Sequence, residues 1–203
     1  MFDGSDIDAA FELQSSGWAD SRGGMFFGGQ LFHADDNGVL WMSQFTDDEF
    51  EVRAAVNLFG LTENEWVLSQ LGGMFFDFEL SRVYCMIEGD SLLHYRAFSP
   101  YGTFFGDVES FAAEQGDIPW TDVNAMDVIN GYLYFVRNDG TLYRSDIDGT
   151  DVVTGTTETI SGPFIDGRTW DGSILAFLGE GEIIGGGDVA PLEFESSGDS
   201  AGT

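Results

Sequence analysis

The stretch "GGMFFGGQLFHADDNGVLW", residues 23–41, joins two short β-favouring runs through turns rich in glycine, aspartate and asparagine. Looser copies follow at residues 72–95, "GGMFFDFELSRVYCMIEGDSLLHY", and at residues 124–145, "NAMDVINGYLYFVRNDGTLYRS". Asp-Asn-Gly and Asn-Asp-Gly place glycine where a positive φ is needed, which is a strong short-range signal for a β-hairpin. The chain therefore repeats one hairpin unit, and this repetition predicts its architecture.

Larger landmarks recur in the same order along the chain. A tryptophan returns with a period of about 50 residues, and the first three are each followed by a methionine and then a leucine. The tryptophans are Trp18, Trp66, Trp120 and Trp170, the methionines Met25, Met74 and Met126, and the leucines Leu40, Leu93 and Leu142. Short strands at this spacing, with recurring tryptophan and glycine, are typical of propeller blades. The sequence thus predicts an all-β fold, a β-propeller of about four four-stranded blades.

The predicted domain runs over residues 1–184, with repeat units near 18–65, 66–119 and 120–169. "FDGSD" at residues 2–6 echoes "IDGTD" at 147–151, so we expect residues 2–6 to belong to the outer part of a blade. Residues 170–184 and residues 1–17 are expected to form a composite closing blade, which leaves the ring without a free edge. Residues 185–203 have the composition of an acidic, Gly/Ser-rich tail.

The recurring apolar positions predict the core. One tryptophan per blade is expected to pack between neighbouring sheets, because every blade needs that contact. The inner strands are expected to bury a further set of side chains: Met25, Phe27, Leu31, Met74, Phe76, Met126 and Leu133.

Charge narrows the classes of partner. The chain of 203 residues carries a net charge of −29, with seven arginines and no lysine. Such a charge repels phosphate backbones and anionic membranes, so we expect no nucleic-acid partner. The apolar runs are far shorter than the roughly 20 residues of a membrane span, and the acidic N-terminus does not read as a signal peptide. Two interpretations of the acidity compete: a heavily solvated exterior, or an acidic surface matched to a basic partner or to divalent cations.

A resemblance adds to these observations. The repeat unit consists of a tryptophan, "GMFF", a short β-favouring pair and a "DG" turn, and "GPFIDGRTW" follows at residues 162–170. This pattern is similar to β-propeller-like repeats of large actinobacterial cell-surface proteins. Tail proteins of phages that infect those bacteria carry related repeats. The likeness covers about residues 2–180. It implies an extracellular, cell-surface or virion module that contacts protein or glycan, and it supplies no catalytic residues.

Three residues are candidates for ligand contact. Trp41 breaks the recurrence of the landmark aromatics, and its counterparts in the next two units are His94 and Tyr143. Trp41 is the candidate for an exposed stacking platform, whereas packing between sheets is the plainer interpretation.

Acidic turns raise the question of calcium. "SDIDGTD" offers Asp146, Asp148 and Asp151 as candidate metal ligands. Calcium takes six to eight oxygens, and this spacing is not that of a twelve-residue calcium loop. We therefore predict no cofactor, with weak calcium binding at these turns as the open alternative.

Catalytic groups are sparse. Cys85, the single cysteine, lies in an apolar stretch, and His33 and His94 occupy non-equivalent positions of their hairpins. The arginines are scattered and are expected to pair with the acidic surface. These observations predict a non-enzymatic module, and the resemblance implies that it serves adhesion, assembly or glycan and protein binding, for example as a phage minor tail protein. A propeller hydrolase acting on polysaccharide, and a fragment or subunit of a larger surface protein, are the alternatives.

Overall fold

The structure is a computed structural model that describes residues 20–46, 49–59, 61, 66–99, 104–149, 151–170, 172 and 174–175. In these residues the chain forms three antiparallel sheets, each built from strands that follow one another along the chain. The strands of the first sheet are β1 (Ser21–Phe27), β2 (Gln30–Asp35), β3 (Leu40–Thr46), β4 (Glu49–Phe50) and β5 (Ala54–Ala55). The second sheet contains β6 (Leu71–Asp77), β7 (Arg82–Ile87), β8 (Leu93–Ser99) and β9 (Phe104–Phe111). The third contains β10 (Val123–Ile129), β11 (Tyr132–Arg137), β12 (Leu142–Asp148), β13 (Asp151–Val152) and β14 (Glu158–Ser161).

The repetition extends to the irregularities of the backbone. The pairing of the first two strands of every sheet shifts register near its start, at Arg22/Gly24, at Leu71/Gly73 and at Val123/Ala125. Short 3-10 helices precede the second and third sheets, at Leu68–Gln70 and Trp120–Asp122. The outer position differs: β9 is continuous, whereas β4 with β5 and β13 with β14 divide it into short pieces. The all-β prediction with four-stranded antiparallel units is confirmed.

The first strands of the three sheets lie together. β6 contacts both β1 and β10, and β1 also contacts β10, so the sheets radiate from a common centre as propeller blades do. Glycine permits this close approach, because a Cβ at Gly73 would lie 2.9 Å from Cγ of Met126 on the neighbouring inner strand. Among the described residues, no helix is long and apolar enough to span a membrane.

The core lies between adjacent sheets. Trp66 is buried in the cluster shared by the first and second sheets, and Trp120 is buried in the cluster shared by the second and third. This confirms their predicted role in packing. The predicted core set is also buried, except that Phe27 is only partly buried. Trp170 is partly buried against the third sheet, and Trp18 lies outside the described residues.

The chain returns toward the first sheet after the third. Leu175 is buried in a cluster with Ala125 and Tyr134 of the third sheet. On the other side, a Cβ at Gly24 of β1 would lie 3.0 Å from Cγ1 of Ile174. Residues 174–175 therefore lie between the third and the first sheet. Most of the predicted composite blade, residues 170–184 with 1–17, and the tail at 185–203 fall outside the described residues, so blade number and domain bounds stay predictions.

Candidate functional site

The three predicted ligand-contact residues occupy one equivalent position. Each is the second residue of the third strand of its sheet and directly follows the leucine that recurs once per unit. Each therefore comes just after the hairpin turn between the second and third strands. They lie in three different sheets, and each stands opposite a second-strand residue. The pairs are Trp41 with His33, His94 with Cys85, and Tyr143 with Phe135.

Trp41 is bound to the acidic residue of its own turn. Its indole Nε1 donates a hydrogen bond to Oδ2 of Asp35 at 2.8 Å, while Oδ1 accepts from the backbone N–H groups of Asn37 and Val39. Burial raises the pKa of Asp35, but these hydrogen bonds outweigh it and hold the pKa below its ordinary value. The Arg53 guanidinium lies 4.4 Å from the centre of the half-buried indole. Trp41 thus fastens its hairpin, and Arg53 covers part of its ring.

Tyr143 repeats this arrangement with different chemistry. Its hydroxyl donates to Oδ2 of Asp139 at 2.9 Å, and Oδ1 of the same carboxylate accepts from the backbone N–H of Thr141. Burial and the bond to Asp139 raise the pKa of Tyr143. Arg137 lies 5.1 Å from the centre of the Tyr143 ring. The first and third hairpins therefore use one device: an aromatic side chain that binds the aspartate of its own turn beneath an arginine.

His94 also approaches an acidic residue of its turn, but it is buried. Its Nε2 lies 3.2 Å from Oδ2 of Asp90 without hydrogen-bond geometry, and its Nδ1 lies 3.0 Å from Oε1 of Glu109 on β9. The edge of the ring also packs against Phe111. His94 therefore links the turn to the outer strand of the second sheet and is not available as a surface ligand group.

Arg96 is the charged residue whose position the sequence did not reveal. Instead of pairing on the surface as predicted, its side chain is 1% exposed. Its Nη2 lies 3.0 Å from Oε2 of Glu109, and its Nη1 donates to the carbonyl oxygens of Gly106 and Asp107. The guanidinium also lies 5.5 Å from the centre of the Trp66 ring. No sequence motif marks this site, because burial follows from packing of the first sheet on the second.

The predicted calcium ligands are placed at the β12–β13 hairpin. Asp146 and Asp148 are exposed, and Asp148 pairs across the hairpin with Asp151. Asp151 Oδ1 accepts hydrogen bonds from the backbone N–H groups of Ala113 and Glu114, which fastens the end of the second sheet to the third. Among the described residues, no three carboxylate, histidine or cysteine groups gather in a way that could hold a metal ion. Weak calcium binding stays a prediction.

The remaining reactive groups are in the core. Burial raises the pKa of the Cys85 thiol to about 12, so the thiol is protonated at neutral pH. The buried His33 has its Nδ1 3.2 Å from Oγ of Ser21 and 3.2 Å from the carbonyl oxygen of Ala34. Burial lowers the pKa of His33 and favours the neutral imidazole. Ser21 is buried as well, so both members of this pair lie inside the packed strands.

Comparison with known proteins finds partial likenesses to solved structures only. No family model matches the chain, and no curated protein matches it. Among solved structures, a nidogen/laminin complex aligns at 18% identity over 70% of this chain and 50% of the other, with a TM-score of 0.36. Glutaminyl cyclase of Myxococcus xanthus aligns at 15% identity over 66% and 51%, with a TM-score of 0.42. PorZ, a surface component of the type-IX secretion system of Porphyromonas gingivalis, aligns at 11% identity over 70% and 16%, with a TM-score of 0.39.

The matched region spans about half of the first two of these chains and less of PorZ. Likenesses at this level carry no inference about activity or partner. The association with actinobacterial surfaces and phages implied by the sequence stays a prediction. The sheets themselves, with their common order and their first strands in mutual contact, establish that the chain is an all-β protein built from propeller-like blades.

Proposed function

We propose that the chain is a non-enzymatic propeller module that binds a protein or glycan at a cell surface or within a virion. One observation supports the proposal: the side chains that could bind a ligand or take part in catalysis instead make contacts that stabilise the blades. Trp41 and Tyr143 bind the aspartates of their own turns, and His94 bridges to β9. The Cys85 thiol is buried and protonated.

The electrostatics support the same class of function. Five of the seven arginines lie over aromatic rings, which leaves the carboxylates to dominate the exterior. These stacked pairs are Arg53 with Trp41, Arg82 with Tyr95, Arg96 with Trp66, Arg137 with Tyr143, and Arg144 with Tyr132. A net charge of −29 favours basic or neutral partners, such as a basic protein surface or an uncharged glycan, over nucleic acid.

The proposal is tested by mixing the purified chain with bacterial cell walls and with soluble capsular polysaccharide. Co-sedimentation or gel retardation without release of reducing ends is expected for a glycan-binding module. Release of reducing ends would overturn the non-enzymatic proposal and favour the hydrolase. Binding to wall proteins that is lost after protease treatment of the walls would select a protein partner over a glycan, and absence of binding to any wall component would contradict the surface role.

Two substitutions at one position separate ring contact from hairpin support. Trp41→Ala removes the indole, whereas Trp41→Phe keeps a smaller aromatic face and removes the hydrogen bond to Asp35. If Trp41 contacts a ligand by stacking, Trp41→Ala weakens binding about tenfold and Trp41→Phe retains it. Equal binding by both variants and the parent chain would place the contact elsewhere.

A further inference from the structure

β9 differs from the outer strands of the other two sheets. It has eight residues, Phe104–Phe111, and among the described residues it pairs only with β8. The corresponding positions of the first and third sheets carry β4 and β13 with two residues each, and β14 with four. A long outer strand presents a row of backbone N–H and C=O groups that another extended chain can pair with. Among the described residues, the second sheet therefore has the longest outer strand.

Large apolar side chains are exposed along this edge. Phe104 and Phe111 are each 50% exposed, and Val108 is 70% exposed. Phe59, itself 60% exposed, stacks on Phe104 with the ring centres 4.3 Å apart. Exposed strand edges in soluble proteins are usually protected by charge, proline or short length. The centre of β9 has such protection in Asp107 and a bulge, whereas its ends carry phenylalanine, which favours contact with a partner over contact with water at the ends.

A bulge divides the edge into two parts. On β8, Arg96 pairs with Glu109 and Phe98 pairs with Phe105, so the single residue between the two pairs on β8 faces three residues, 106–108, on β9. The carbonyl oxygens of Gly106 and Asp107 within this bulge already accept hydrogen bonds from Arg96. The parts suited to pairing are thus the phenylalanine-containing segments on either side, 104–105 and 109–111.

The charge around this edge defines the occupant. Asp107 on β9 and Glu114 after it are exposed, while Arg96, the nearest cation from β8, is buried beneath the strand. A second copy of the chain would bring another net charge of −29 to the same edge. We propose that an extended, basic segment of a partner protein, in which apolar residues alternate with lysine or arginine, adds to β9 as a further strand. This rests on the proposed binding function and names the partner's chemistry.

The test uses the full chain and a labelled peptide of about eight residues in which valine and lysine alternate. Fluorescence anisotropy measures its dissociation constant at low salt. Two matched peptides separate the contributions: one carries N-methyl groups on the strand-pairing amides, and one replaces lysine with glutamate. We expect at least about a tenfold loss of affinity for the first and loss of detectable binding for the second.

Two protein variants locate the contact. Val108 is the last residue of the bulge, so Val108→Lys places a positive charge directly beside the pairing segment 109–111. Val52→Lys makes the same change at a 95% exposed valine of the first-sheet region. Val108→Lys should weaken peptide binding about fivefold or more, and Val52→Lys should weaken it less than about twofold. Circular dichroism confirms that both variants are folded.

Equal binding of the N-methylated and parent peptides, or equal effects of the two lysine variants, would overturn strand addition and leave only general attraction to an acidic surface. Absence of peptide binding would overturn the assignment of β9. In either case the cell-wall experiment could still succeed, so a failure here is distinct from a failure of the proposed function. Self-association that disappears in Val108→Lys would instead identify a second copy as the occupant.

Discussion

The buried ion pair between Arg96 and Glu109 provides the sharpest test of how the second sheet is held together. Glu109→Ala removes the carboxylate that lies 3.0 Å from both Arg96 Nη2 and His94 Nδ1. Arg96 keeps its bonds to Gly106 and Asp107 but loses its counter-charge inside the protein. Removal of one partner of a buried pair costs about 3–5 kcal/mol. Because Glu109 itself is 29% exposed, we expect the lower part of that range or somewhat less, about 2–3 kcal/mol.

Urea unfolding followed by circular dichroism measures this change in the free energy of unfolding. For a chain of 203 residues, the expected loss corresponds to a decrease in Tm of about 4–12 °C. The double variant Arg96→Met/Glu109→Leu removes both charges, but it also removes the hydrogen-bond partners of the Gly106 and Asp107 carbonyls and of His94 Nδ1, so it should recover part of the loss and not all of it. Its recovery would show that the cost of the single change is an unpaired buried charge and not a loss of volume.

The third sheet supplies a matched control. Arg144 and Glu158 also pair between a third and an outer strand, but Glu158 is 53% exposed. Glu158→Ala should therefore cost no more than about 1 kcal/mol. Equal costs at Glu109 and Glu158, or a double variant as unstable as Glu109→Ala alone, would refute the reasoning.

Three further outcomes are expected. Asp35→Asn should lower the free energy of unfolding by about 1–2 kcal/mol at neutral pH. Because the folded-state pKa of Asp35 lies below its ordinary value of 3.8, the stability that its carboxylate contributes is present above that pH and is lost as pH falls through the folded-state pKa. Acid titrations monitored by fluorescence should therefore show a weaker dependence of stability on pH in the variant. Leu175→Ala should cost about 2–4 kcal/mol in urea unfolding if this side chain is part of the core, and a neutral effect would remove it from there. The Tm of the domain should be appreciably higher in about 1 M NaCl than at low salt, because screening reduces the self-repulsion of the net charge. CaCl₂ at equal ionic strength should raise the Tm little further. A large calcium-specific rise in Tm would identify Asp146, Asp148 and Asp151 as ligands.

Local patterns in the sequence were sufficient to predict the hairpins. Alternating apolar residues and Asp-Asn-Gly or Asn-Asp-Gly turns specify strands and the reversals between them over distances of a few residues. The structure accordingly has β2–β3 and β11–β12 joined at the predicted turns, with Gly38 and Gly140 at positive φ. The recurring tryptophans also predicted packing between sheets, because a contact needed once per blade recurs at the period of the blade.

The roles of individual polar side chains could not be predicted in this way. Arg96 and Arg144 both follow the recurring leucine of a third strand, yet Arg96 is buried against Trp66 and Arg144 is part of an exposed ion pair. Their positions differ by one residue relative to the preceding leucine, and a shift of one residue turns a side chain to the opposite face of a strand. Which face meets another sheet depends on neighbours about 50 residues away in the chain. The sequence by itself determined where the strands and turns form, whereas the tertiary structure decided which charges are buried, because burial depends on contacts between blades.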